Sequence, residues 1–184
     1  MTDLLHRVYF ALWPDAALRA SLTAAVAPAL AGVGGRPVLP QDLHVTLAFL
    51  GGVASSALAT LARIGATLAP PLVTLSFDRL EWWSGSRALV IAASSPPPSL
   101  LELQDGLQRR LASAGLQVDL RQYRPHLTIA RGVPVRPLLA PSMSIAWPVG
   151  AIALVESMGG SAGARYQPLV LWDAPAPATE FHVF

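Results

Sequence analysis

The sequence predicts a chain of mixed strands and helices folded as two similar lobes that face each other. Three observations carry this. Short apolar, strand-like runs are interleaved with helical segments rich in Ala and Leu. The motif His-x-Thr occurs twice, each time inside a strand-like run, as His44-Val45-Thr46 and His126-Leu127-Thr128. Each copy is followed by intervening chain and then by a strand pair with an arginine at its second turn. That arginine is Arg87, 43 residues after His44, and Arg165, 39 residues after His126. A near-repeat of this kind is the mark of similar units.

The elements follow in order. Residues 7–12 (RVYFAL) read as a buried strand. Pro14-Asp15 opens a helix with proline at an early helical position, running to about Leu30. Residues 32–40 are a loop, and residues 43–50 a second strand closed by Gly51-Gly52. Residues 55–68 are helical. Residues 72–82 and 87–93 are two strands joined by the turn Ser84-Gly85-Ser86. Pro96-Pro97-Pro98 breaks the chain before an amphipathic helix over residues 99–114, stopped by Gly115. Residues 124–130 form a strand. Residues 149–156 and 166–172 form another pair across a Gly/Ser-rich loop, and the Pro/Ala-rich tail after Asp173 runs over the surface.

Composition removes whole classes of chemistry. The 184 residues suit one domain or two tightly joined lobes. There is no cysteine, which excludes disulfides, thiolate zinc sites and thiol nucleophiles. There is no lysine either; all 13 basic residues are arginine. That excludes a lysyl-adenylate ligase, a Schiff base and a Walker lysine. A mean hydropathy of +0.47 raises the question of a membrane, but no run approaches the roughly 18 apolar residues that a spanning helix needs. Asp3 and Pro14-Asp15 spoil a signal-peptide reading, so a soluble, cytoplasmic protein is expected. The formal net charge of +2 is too small for broad binding of a duplex, but compatible with a site for one phosphate or a short RNA end.

The two motifs carry chemistry. In a strand, residues i and i+2 share a face. His44 and Thr46 therefore project together, with Val45 and Leu47 buried behind them, and His126 and Thr128 do the same over Leu127 and Ile129. One neutral imidazole can take a proton from water while a second, protonated, gives one to a departing ribose oxygen. The ordinary histidine pKa of about 6.5 allows the two states to coexist near neutrality. Threonine hydroxyls can donate to phosphate oxygens. Neither segment offers three ligands at metal spacing, so no metal is expected.

The segments at residues 7–14 (RVYFALWP), 39–51 (LPQDLHVTLAFLG), 123–131 (YRPHLTIAR) and 154–169 resemble the two-histidine phosphoesterase superfamily. Within it, the chain is most similar to the bacterial RNA 2′,3′-cyclic phosphodiesterases, also called 2′-5′ RNA ligase-like proteins. The resemblance implies an α+β, bilobal fold over residues 1–184, a single domain of two intertwined lobes, with two pseudo-symmetric antiparallel sheets facing a central cleft and helices outside. It implies hydrolysis of a 2′,3′-cyclic phosphate on RNA 3′ ends or nucleotides to a 2′-phosphomonoester, with reverse 2′-5′ ligation as a side reaction. It makes His44 the general acid and His126 the base, with Thr46 and Thr128 binding the phosphate. It requires no cofactor, metal or ATP. A monomer is the default expectation.

Other residues have two readings each. Arg131 closes the second motif, yet strand parity sets it opposite His126, so it is either a phosphate ligand or a solvated strand end. Arg124 has the favourable parity but precedes Pro125. Phe49 and Tyr123 are off the parity of the histidines, so core packing is preferred over base stacking. Of Trp82 and Trp83, one is expected buried and one partly exposed. Asp42 is read as capping a turn or orienting His44. His6 and His182 are read as incidental. Two alternatives remain open: an enzyme of the same superfamily acting on another small cyclic phosphate, such as an ADP-ribose derivative, and a non-catalytic protein that binds RNA ends or nucleotides.

Overall fold

A computed structural model of the chain describes residues 4–119, 121–138, 144–158 and 165–174. Residues 159–164, expected in a Gly/Ser-rich loop, the expected surface tail beyond residue 174 and His182 lie outside the described residues. Among the described residues, no helix is long and apolar enough to cross a membrane.

The fold is α+β, with two four-stranded antiparallel sheets. The first has the order β10-β9-β1-β3, with β1 (Leu5–Leu12), β3 (Val45–Ala54), β9 (Ala151–Ser157) and β10 (Tyr166–Asp173). The second has the order β2-β7-β6-β5, with β2 (Arg36–Pro37), β5 (Arg79–Trp83), β6 (Ala88–Ala92) and β7 (His126–Arg131). The strand pair that follows the first His-x-Thr motif thus lies in the sheet of the second motif, and the reverse also holds. A ribbon of β4 (Thr74–Phe77) and β8 (Ile145–Pro148) stands apart. Helix α1 (Ala16–Leu30) packs against β7 and β8, and α2 (Ser55–Ala66) against β9 and β10. Helix α3 (Pro98–Ser113) packs against β3 and α2.

β1 reads as an unbroken apolar run because both its faces are covered. Val8, Phe10 and Leu12 belong to the main core. Tyr9, Ala11 and Trp13 point the other way, into a smaller cluster with Ala153, Val155 and Tyr166. Asp15 caps α1, its carboxylate accepting the Leu18 N–H at 2.7 Å. Pro14 therefore precedes the cap and is not a helical residue. Pro98 is the first residue of α3, where its missing N–H leaves nothing unsatisfied. Gly115 ends that helix at φ +75°, and the Leu116 N–H reaches back to the Leu111 carbonyl at 3.1 Å.

Four further expectations are corrected. The run 72–82 is two strands in different sheets, divided at Asp78. The Asp78 carboxylate accepts the Ser94 N–H at 2.8 Å, and the Asp78 N–H bonds to Ala92. β3 does not close at Gly51-Gly52 but continues to Ala54, because Gly51 at φ +71° sits beside a bulge instead of a strand end. The expected loop 32–40 contains the short edge strand β2. β8 adds a strand that its mixed Ile-Ala-Trp-Pro sequence did not announce.

Gly65 of α2 lies under the Trp172 indole, where a Cβ would overlap the ring. Gly65→Ala gains roughly 1 kcal/mol of helix propensity but costs about 1–3 kcal/mol in overpacking. The overlap with a ring makes the second effect win. Thermal unfolding should show a lower Tm; an unchanged or higher Tm would show that Trp172 moves aside freely.

Candidate active site

The two histidines are held alike. His44 Nδ1 lies 2.7 Å from the Asp42 carbonyl, and His126 Nδ1 lies 2.8 Å from the Arg124 carbonyl. A carbonyl only accepts, so both rings carry their proton on Nδ1 when neutral. Among the described residues, neither Nε2 has a protein partner. His44, Thr46, His126, Thr128 and Arg131 line one cleft of about 530 Å³, together with Trp83, Ser86 and Arg121.

A β-bulge follows each motif. Thr46 and Ala48 oppose consecutive residues of β1, leaving Leu47 as the extra residue; Thr128 and Ala130 oppose consecutive residues of β6, leaving Ile129 extra. Leu47 and Ala48 are both buried, as are Ile129 and Ala130. The inserted residue reverses the alternation beyond it. Arg131 therefore comes round to the face of His126 and Thr128, correcting the parity expectation that set it opposite. Phe49 holds the equivalent place in the first motif. It is 46% exposed, not core, and lines a groove with Thr46, Trp83, Tyr123 and His126. The Arg7 guanidinium lies over its ring, 5.1 Å from the centroid.

The surroundings of the imidazoles differ. His44 stacks on Trp13 at 6.0 Å between centroids, and lies 4.9 Å from both Tyr9 and Tyr166. Among the described residues, His126 meets a single aromatic, Trp83, at 4.4 Å. Burial pushes the His44 pKa down to about 4, with smaller contributions from the Arg131 and His126 charges; the bond to the Asp42 carbonyl opposes them. His126 is also lowered, first by burial and then by Arg131 and Arg124, while its carbonyl bond and Glu81 act upward. Burial raises the Tyr9 and Tyr123 hydroxyls, neither of which has a hydrogen-bond partner among the described residues.

Other expected residues serve the frame. Asp42 is 3% exposed; its carbonyl orients His44 and its carboxylate accepts the Arg165 N–H at 3.0 Å. Arg124 pairs with Glu81 at 2.9 Å and lies over the Trp83 ring. Glu81 also accepts the Trp83 indole N–H at 2.8 Å. Trp82 turns away from the cleft and donates to the Val133 carbonyl at 3.2 Å. His6 joins Glu156 and Ser55 away from the cleft. Among the described residues, no group of three or more His, Asp or Glu could hold a metal. Sequence reasoning missed Arg121 and Ser86 as cleft residues; both come from loops, where no periodicity reports direction.

The family model described as the 2′-5′ RNA ligase superfamily matches residues 14–160. The RNA 2′,3′-cyclic phosphodiesterase of Escherichia coli (strain K12) is 29% identical over 171 residues, covering 91% of this chain and 96% of that protein. The protein of the same name from Thermus thermophilus is 27% identical, covering 82% and 81%. The crystal structure of E. coli LigT in apo form superposes with a TM-score of 0.79 at 28% identity, covering 94% of this chain and 99% of that one. The complex of LigT with 3′-AMP gives the same score.

Imidazole nitrogen NMR should find both rings in the Nδ1–H form, with His44 titrating near pH 4 and His126 below its ordinary value. Inorganic phosphate, an opposite charge in the cleft, should raise both. Two rings titrating near 6.5 and indifferent to phosphate would contradict this site.

Proposed function

The chain belongs to the 2′-5′ RNA ligase superfamily, and on that premise we propose that it opens 2′,3′-cyclic phosphates on RNA 3′ ends or nucleotides. The observation that carries this is the pair of Nδ1-anchored imidazoles sharing one cleft with two threonines. The curated relatives named RNA 2′,3′-cyclic phosphodiesterase support the substrate class. The proposed setting is the cytoplasm, and the proposed acting species a monomer.

In the proposed step, His126 Nε2 takes a proton from water as the water oxygen bonds to phosphorus. The bond from phosphorus to O3′ breaks, and His44 Nε2–H gives its proton to O3′. The product carries a 2′-phosphate and a free 3′-hydroxyl. Thr46, Thr128 and Arg131 hold the non-bridging oxygens, where charge develops. His44 is neutral in the empty cleft at pH 7, so it takes its proton from solvent as the substrate binds, whose anion favours the imidazolium. Phe49 and Trp83 flank the base of the terminal nucleotide.

The direct assay is turnover of a short RNA ending in a 2′,3′-cyclic phosphate, with EDTA present. Wild type should yield the 2′-phosphate. His44→Ala and His126→Ala should each lose about 10²–10⁴-fold in kcat. Binding without opening, or a 3′-phosphate product, would refute the proposal.

The pH profile follows from the shifts. Both free-site pKa values lie below 6.5 and one proton must be present, so kcat/KM should rise as pH falls from 8 toward the His126 pKa. It should fall again near pH 4, where the imidazole pair takes its second proton and no base remains. A free-enzyme optimum above pH 7 would contradict these environments.

Phe49→Ala should raise KM about tenfold, the scale of one base–aromatic stack, with kcat little changed. An unaltered KM would remove Phe49 from the substrate path.

A further inference from the structure

β2 sets Arg36 directly across from Arg131 on β7. This pairing needs the glycine before it. Gly35, at φ +110°, packs so closely on β7 that a Cβ would come within 2.8 Å of the Arg131 carbonyl. Directly opposed residues project side by side, and like charges so placed repel. Arg165 joins them. The three arginines line a recess of about 150 Å³ with Asp42 and Tyr166. Asp42 is the only acid among the lining residues, and its carboxylate is engaged by the Arg165 backbone N–H. No guanidinium of the three has an ion-pair partner among the described residues. Three cations against one carboxylate leave an excess of two, equal to the formal excess of the whole chain.

A cross-strand arginine pair with a third arginine beside it is costly when empty and favourable around an anion. The recess adjoins the catalytic cleft, since Arg131 lines both. Its volume is on the order of five waters, enough for one phosphate group and too small for a nucleoside. We propose that Arg36, Arg131 and Arg165 form a second anion subsite, which takes a phosphate on the 5′ side of the nucleotide whose cyclic phosphate occupies the cleft. This rests on the functional reading above. The second phosphate is either the internucleotide phosphodiester of an RNA strand or a terminal 5′-monophosphate.

The test compares kcat/KM for cytidine 2′,3′-cyclic phosphate, for the same nucleotide with a 5′-phosphate, and for a dinucleotide ending in the cyclic phosphate. Wild type should prefer the two longer-charged substrates by about ten- to a hundredfold, the scale of one or two charge-assisted contacts. In Arg36→Ala/Arg165→Ala that preference should collapse toward unity, and the double lysine variant should retain part of it. The dinucleotide alone being favoured identifies the phosphodiester; the 5′-phosphorylated nucleotide alone being favoured identifies the monophosphate. Equal kcat/KM for all three in wild type, or an undiminished preference in the alanine variant, overturns the proposal. Calorimetry with inorganic phosphate separates the subsite from the activity. Two sites per chain in wild type and one in the alanine variant support it even if no cyclic phosphate is opened, an outcome that would sink the functional reading alone. One site in both proteins overturns it.

Discussion

Each imidazole of the cleft is tethered through Nδ1 to a carbonyl two residues earlier in its own chain, and the rest of the site is arranged around that tether. It fixes the tautomer and leaves Nε2 for exchange with a substrate. The supports behind the two carbonyls are built differently. Asp42 is locked by its bond to the N–H of Arg165, the residue before β10 and far away in sequence. Arg124 is held by Glu81 and the Trp83 ring. The first histidine consequently sits in an aromatic box and the second at a more open wall. Two copies of one motif thus acquire unequal proton affinities.

The bulge after each threonine is the second constraint. It turns an aliphatic residue inward twice in succession and brings the next side chain back to the cleft, Arg131 in one motif and Phe49 in the other. The histidines and threonines were legible because they precede the bulge, where the period of two still holds. The parity that set Arg131 opposite His126 and the core reading of Phe49 failed because an inserted residue is invisible to a rule built on alternation. Other misses have similar causes. β2 and β8 are too short to show a period, and their pairing partners lie far off in sequence. Asp78 divides one apolar run because its carboxylate finds Ser94, a tertiary contact no local pattern reports. Features with a local cause were read correctly, among them the Gly115 helix stop and the strand over residues 7–12.

The crossed strand pairs explain why the near-repeat in sequence is loose while the two walls of the cleft match. Each His-x-Thr strand is completed by a strand pair that follows the other motif. Arg36, Arg131 and Arg165, without ion-pair partners among the described residues, line a recess that adjoins the resulting cleft, and Phe49 and Trp83 line a groove that adjoins it as well. A cyclic phosphate with a base and a chain attached presents the complementary pattern.

A pH profile counts the protons on the imidazole pair but does not place them. The division of labour is tested most directly with an aryl phosphodiester, whose 4-nitrophenolate departs without needing a proton. Under this account His44→Ala, crippled on an RNA cyclic phosphate, retains most wild-type turnover of the aryl ester, while His126→Ala loses both. Equal loss of both substrates in both variants would contradict acid–base catalysis by the pair.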